Sequence, residues 1–235
     1  MNPGLAGIGA GIGKGMAMGD EASGVEAGGA ERILTAAVRL FGERGVAATS
    51  LKSVAADAGV SQALIIHHFG SKDALRRACD ARVAELVRIR KEDSIDKGPQ
   101  MDPLAALRVM DDGRPLLRYL VRTLAEGGDH VDQLIDEMVE DADGYMARGV
   151  EKGIFKPSAS PRERAVLLVL WSLGSLVLHQ HMDRILGVDL LDAEAGAQGL
   201  APYMRPAMEL FEQGLLEDGA YEHIARLFDE RTGQP

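Results

Sequence analysis

Apolar positions recur at helical spacing from Glu31 onward. Ile33, Leu34, Ala37, Leu40 and Phe41 share one side of a predicted helix, and Gly45 stops the run. Thr49-Ser50 is an N-cap signal for a short helix, Leu51–Ala58, which Gly59 ends. Ser61 caps a second short helix that runs to about Phe69. Gly70-Ser71 then breaks the chain, and Ser71 caps a longer helix bearing Leu75, Cys79, Val83 and Leu86. A polar loop follows at residues 96–103, punctuated by Gly98-Pro99 and Pro103. Beyond it the pattern predicts helices at residues 103–112, 115–126, 131–150, 161–186, 203–214 and 219–231. Residues 187–199 read as irregular, or at most as one short helix. No strand-like alternation persists and no segment repeats, so the fold class expected is all-α.

Composition agrees with this. Ala, Leu and charged residues dominate and aromatic residues make up only 4%, which favours helices over strands. The 235 residues suffice for one or two domains. Residues 1–30 hold 10 glycines and no apolar periodicity, so they are expected to form a disordered tail, with Met16 and Met18 as alternative starts. Cys79 is the single cysteine, which excludes an internal disulfide framework and any zinc site built on paired cysteines. The longest apolar run, residues 165–178, is too short to span a bilayer and reads as a buried helix. The glycine-rich start has no continuous apolar segment of the secretory kind, so a cytoplasmic protein is expected.

The net charge of −10 argues against a nucleic-acid partner until its distribution is considered. Residues 31–91 carry 11 Lys/Arg against 6 Asp/Glu, whereas residues 92–235 carry 14 against 27. A basic module is joined to an acidic one, as in a DNA-binding part attached to a part that avoids DNA. The basic module contains helix-turn-helix arithmetic. A short helix, a glycine suited to positive φ, the apolar Val60 and a capped second helix form one unit, with Val54, Val60, Ile65 and Phe69 facing inward and small Ala55 where the helices approach.

This segment resembles the N-terminal domain of TetR-family transcriptional regulators. The resemblance is carried by Phe41-Gly42-Glu43-Arg44-Gly45, Ala48-Thr49-Ser50, Ala58-Gly59-Val60-Ser61 and His68-Phe69-Gly70-Ser71-Lys72, in order and at the family's spacing. It implies a helix-turn-helix DNA-binding domain at residues 31–76 and a helical ligand-binding and dimerisation domain at residues 77–235. It also implies that Ser50 and Lys52 touch the DNA backbone or a base edge, that Gln62 and Ala63 begin the recognition helix, and that Lys72 meets a phosphate. Glutamine can pair with adenine and alanine can meet a thymine methyl. The chain departs from the family at Ile66, where tyrosine is usual, and at His67, where tyrosine or tryptophan is common. Ile66 lacks the hydroxyl that usually contacts DNA but can meet a thymine methyl. His67 and His68 are adjacent on the helix and face different ways, so they are not expected to share a metal.

In the acidic part, Val131, Leu134, Ile135, Met138, Ala142, Tyr145 and Met146 line one helix face, and Asp129, Asp132, Asp136, Glu140 and Asp143 the other. This is the pattern of an amphipathic helix with a solvated acidic side. Asp141-x-Asp143-Gly144 fails as a calcium loop, because Val139 and Val150 occupy ligand positions. His179 and Asp183 share a face, but His181 points elsewhere, and no metal is expected. The glycine-rich start matches neither phosphate-binding motif, and no G-x-S-x-G or H-E-x-x-H is present. No catalytic residue, metal or cofactor is therefore expected.

Met110, Tyr119, Met138, Tyr145, Met146 and Trp171 are the candidate pocket residues, since methionines and aromatics adapt to apolar guests. Residues 161–186 and 203–214 are the candidate homodimer helices, by resemblance to the family's four-helix interface. The expected partners are a double-stranded DNA operator, a second copy of the chain and a small-molecule effector, with no membrane. The reading is a sequence-specific transcriptional regulator, a repressor released by a small apolar effector. Two alternatives stay open: a helical protein-interaction module with a decayed DNA surface, and a small-molecule enzyme in the C-terminal cavity.

Overall fold

A computed structural model describes residues 18–98, 113–191, 196–215 and Gly219, with side chains from Gly28 on, residues 196 and 197 excepted. Among the described residues the chain forms nine helices and no strand. They are α1 (Met18–Arg44), α2 (Leu51–Ala58), α3 (Gln62–Phe69), α4 (Lys72–Lys97), α5 (Arg114–Glu126), α6 (Asp129–Glu151), α7 (Pro161–Val177), α8 (His179–Leu186) and α9 (Gly196–Gln213). The all-α class expected from the pattern is the class found.

The chain divides into two compact units, residues 1–172 and 173–235. In the first, α1 packs on α5, α2, α4 and α3, and α4 packs on α6. Its core buries Phe41 and Ile33 of α1, Ile65 of α3, Leu75 and Val83 of α4, Tyr119 and Leu120 of α5, and Leu134 of α6. Helices α1 and α5 approach so closely that a β-carbon added at Gly42 lies 2.9 Å from the backbone nitrogen of Tyr119. Ion pairs tie α4 to α6: Glu92 accepts from Arg148 at 2.5 Å, and Asp96 pairs with Lys152. The second unit buries Leu173, Leu176, Val188 and Ala207, and Ser175 and Tyr203 share a hydroxyl–hydroxyl hydrogen bond of 3.1 Å.

Three boundaries differ from the sequence pattern. Helix α1 begins at Met18, inside the stretch expected to lack structure. Extending an anchored helix adds one hydrogen bond per residue fixed, so no apolar face is needed to carry it back. The predicted helix 161–186 is two helices, bent by 72° at Leu178. Leu178 has φ −91° and ψ 13°, and its carbonyl accepts from His181 and Met182 to start α8. Apolar periodicity does not register such a break, because no Gly or Pro marks it. Helix α9 begins at Gly196 and contains Pro202 and Pro206, the residues that make the pattern start late. The predicted helix 103–112 and all but Gly219 of 219–231 lie outside the described residues. No single described helix is long and apolar enough to cross a membrane, although α7 and α8 together would pass by length and composition.

Candidate DNA interface and effector cleft

The local chemistry of residues 45–72 sets two short helices at a fixed angle. Ser50 caps α2 by accepting from the Ser53 amide at 3.0 Å, and Ser53 answers by accepting from the Ser50 amide at 3.1 Å. Gly59 closes α2 in the left-handed region, with φ 65° and ψ 38°, and Val60 donates back to the Ala55 carbonyl at 3.0 Å. Ser61 then caps α3 by accepting from Leu64 at 3.1 Å, and Ser71 caps α4 by accepting from Ala74 at 3.1 Å. Buried Thr49 fastens the entry loop, donating to the Gly45 carbonyl at 2.8 Å. Arg39 of α1 pairs with Glu43 and reaches Asp57 of α2.

This framework decides which side of α3 is free. Ile65 is fully packed, while Gln62, Ala63, Ile66 and His67 are exposed. They sit at i, i+1, i+4 and i+5, which is one helix face. Ile66 is 44% exposed, a large apolar side chain held in solvent. Ser50 and Lys52 are exposed at the start of α2. Lys72 is half-buried and donates to the Ala47 carbonyl at 3.4 Å. The α4 N-terminus beside it presents amides suited to an anion. His68 is half-buried, its ring 6.0 Å from that of Phe69.

A second site lies farther along α4. A cleft between α4, α6 and α7 encloses about 50 Å³ of cavity, or about 410 Å³ with its open mouth. Its apolar walls are Ala84 and Val87 of α4, Met138 of α6 and Val169 of α7. Tyr145 and Ser172 add hydroxyls, and Arg88, Lys91 and Asp141 add charge. Of the six candidate pocket residues, the structure brings Met138 and Tyr145 to this cleft. Met146 is buried in the core, and Trp171 is exposed on α7 next to Ser172. Met110 lies outside the described residues.

Tyr119 belongs to neither surface. It is fully buried, and its hydroxyl donates to Asp80 Oδ1 of α4 at 2.6 Å. Asp80 is only 6% exposed, and burial raises its pKa, offset by the Tyr119 hydrogen bond and by the nearby His130 and Arg76 charges. Asp80 Oδ2, Arg76 Nε and His130 Nε2 are buried without a hydrogen bond among the described residues. Arg76 and Arg122 both reach Glu126 of α5, at 3.1 and 3.3 Å, and Arg122 donates to the Arg44 carbonyl at the end of α1 at 3.3 Å. Helix α5 thus joins α4 to α1. Sequence reasoning missed Asp80, although a carboxylate on the Cys79–Val83 apolar stretch is the signal that finds it. It also missed Arg88, Lys91 and Asp141, which look like ordinary helix-surface charges until the packing of α4 on α6 is known.

The two surfaces describe a helix-turn-helix DNA-binding protein with a small cleft in its helical body. Known proteins agree. The family description "Bacterial regulatory proteins, tetR family" matches residues 33–79, and "Tetracyclin repressor-like, C-terminal domain" matches residues 111–217. The chain is 37% identical to the HTH-type transcriptional regulatory protein RaaS of Mycobacterium tuberculosis over 190 residues, which is 80% of this chain and 87% of that protein. It is 52% identical over 46 residues to the HTH-type transcriptional repressor Rv3405c of the same organism, covering 20% of this chain and 24% of that one. In structure, a candidate fatty acid metabolism regulator of Clostridium perfringens superposes with a TM-score of 0.51 at 14% identity, over 80% of this chain and all of that one. The chain belongs to the TetR family of transcriptional regulators.

Proposed function

We propose that the protein is a homodimeric cytoplasmic repressor that leaves its operator when a small, mainly apolar effector enters the α4–α6–α7 cleft. The observation that carries the DNA half is the α3 face. Four side chains of mixed chemistry stand in solvent on a helix whose other side is locked by Ile65. Gln62 and His67 supply polar contacts to base edges, Ala63 and Ile66 apolar contacts to thymine methyls, and Ser50, Lys52 and Lys72 contacts to the backbone. Residues 31–76 act as the reading module and residues 77–235 as the effector and dimerisation module.

Dimerisation rests on exposed apolar side chains. Leu167, Leu170 and Trp171 stand out on α7, and in the second unit so do Val177, Leu178 and Ile185, with Met204, Met208 and Phe211 on α9. Monomers rarely leave so many large apolar side chains in water. Two copies are also what a two-fold operator requires. The effector half is supported by Met138 and Tyr145 at the cleft and by the polar ties from α4 through α5 to α1.

The test is binding of the purified protein to DNA from immediately upstream of its own gene, against scrambled DNA at two salt concentrations. Selective binding that persists at higher salt supports an operator. A folded dimer that binds neither duplex, nor any duplex selected from a random pool, overturns the reading.

A further inference from the structure

The chemistry of the cleft narrows the class of effector. Among the described residues, two cations and one carboxylate line it. Arg88 is already engaged: it donates to Glu92 at 3.0 Å and lies 3.8 Å from Asp141. Glu92 in turn is held by Arg148, and that hydrogen bond keeps its carboxyl below the ordinary range. Asp141 is therefore answered by Arg88, although burial still raises its pKa. Lys91 differs from its neighbours. It lines the cleft, has an exposed side chain, and has no hydrogen-bond or ion-pair partner among the described residues. Although part of its side chain is exposed, the protein packed around its ammonium desolvates it and lowers its pKa below the usual lysine value, with no carboxylate among the described residues to offset that effect. Among the described residues the uncompensated charge of the cleft is one ammonium, and Ala84, Val87, Met138 and Val169 form its apolar walls.

We propose that the cleft selects a small anionic amphiphile, with its acidic head on Lys91 and its apolar body between α4 and α7. The inference rests on the effector reading above and deepens it. An anion supplies the charge that Lys91 lacks and leaves the Arg88–Asp141–Glu92 set intact. A cationic head would have to take Asp141 from Arg88 while facing the Lys91 ammonium. A neutral head leaves Lys91 as it is and gains only the apolar walls. The enclosed volume of about 50 Å³ has room for a few water molecules but not for a ligand of ordinary size. The apolar body therefore binds a state in which α4 has moved away from α7. That preference between states is the differential affinity an effector needs.

The test uses three probes with one tail and different heads: decanoate and decyltrimethylammonium, each below its micelle concentration, and decanol below its solubility limit. Trp171 is the only tryptophan and adjoins the cleft residue Ser172, so its fluorescence reports binding to the full-length protein. Decanoate is expected to bind about five- to tenfold tighter than decanol, and decyltrimethylammonium weakest. Lys91→Gln brings decanoate down to the decanol value without changing decanol itself. Lys91→Arg keeps the preference, and Lys91→Glu inverts it toward decyltrimethylammonium. Equal affinities in the wild type, a preference for the cation, no binding of any probe, or a preference that survives Lys91→Gln overturns the proposal. Operator release, read in parallel, separates the two claims. Anion-selective binding with the operator still held means that the effector reading fails and the ligand class stands. Release by decanol or by the cation alone means the reverse.

Discussion

Replacing Tyr119 by phenylalanine removes one oxygen from the core and keeps the ring that fills it. The hydroxyl donates to Asp80 Oδ1 at 2.6 Å in a site where Asp80 Oδ2 already lacks a partner among the described residues. The variant leaves a buried carboxyl with neither oxygen bonded to α5. A hydrogen bond to a charged group contributes about 1.5–3 kcal/mol, and one to a neutral acid about 1 kcal/mol. The size of the loss therefore depends on the protonation of Asp80. Burial raises the folded-state pKa of Asp80, so its contribution is fully present below the unfolded pKa and is lost as pH rises through the folded one. The Tyr119 hydroxyl opposes that rise, and without it the folded pKa moves higher still. Tyr119→Phe should thus cost about 1 kcal/mol at acid pH and about 2–3 kcal/mol at pH 8. At the larger value the melting temperature falls by about 5–10 °C. Urea unfolding at several pH values from 5 to 8, at one protein concentration, measures this. Asp80→Asn in the Tyr119→Phe background should flatten the pH dependence. A loss that is the same at every pH, or larger in acid, refutes the account of Asp80 as a buried acid whose ionised form depends on Tyr119.

Other positions give sharper or cheaper tests. Gly42→Ala places a methyl 2.9 Å from the backbone of Tyr119 and should destabilise by about 1–3 kcal/mol in thermal melts. Gly144→Ala, on α6 with nothing within 4 Å, should be neutral or stabilising by up to about 1 kcal/mol. Leu167→Glu, at a side chain 67% exposed, should leave the fold intact and shift the protein to monomer in sedimentation runs; an unchanged dimer would exclude that face from the interface. Lys52→Ala should weaken operator and scrambled DNA alike and make the salt dependence shallower by about one unit of slope for each subunit's phosphate. Ile66→Ala should instead relax base preference at a single A·T position, by about 1–3 kcal/mol in competition binding.

Much of the candidate DNA surface is legible in the sequence because its determinants are local. Ser50, Ser61 and Ser71 cap the helices they immediately precede, and Gly59 needs positive φ where it stands. Once those boundaries are set, helical geometry alone assigns Ile65 inward and Ile66 outward. The cleft depends on contacts between helices far apart in the chain, and periodicity carries none of that. Met138 and Tyr145 are apolar-face residues like Met146, yet only the first two reach the cleft. What separates them is the line along which α4 crosses α6. Tyr119 shows the same limit: its aromatic ring suggests a pocket, and a carboxylate 39 residues earlier gives it a different task. The break at Leu178 is hidden for a related reason, since its backbone turns without a residue type that signals turning.

Helix α4 bears on both ends of the proposed mechanism. Its first residue, Lys72, is at the proposed DNA surface, Asp80 is two turns on, and Ala84, Val87, Arg88 and Lys91 wall the cleft. A guest that wedges α4 from α7 acts one turn away from Asp80. The Asp80–Tyr119 bond and the Arg76–Glu126 pair are the polar ties that such a shift strains first. Tyr119 cannot follow α4 freely, because its backbone is packed against Gly42 of α1 and Arg122 holds the end of α1. The shift either drags α5 and α1 along, moving the platform on which α2 and α3 sit, or breaks the ties that hold that platform in place. Tyr119→Phe with Arg76→Ala distinguishes the two. If the ties transmit the shift, the double variant binds decanoate normally and still holds DNA, but decanoate no longer releases it. If breaking the ties is itself the release, the double variant binds DNA weakly before any ligand is added.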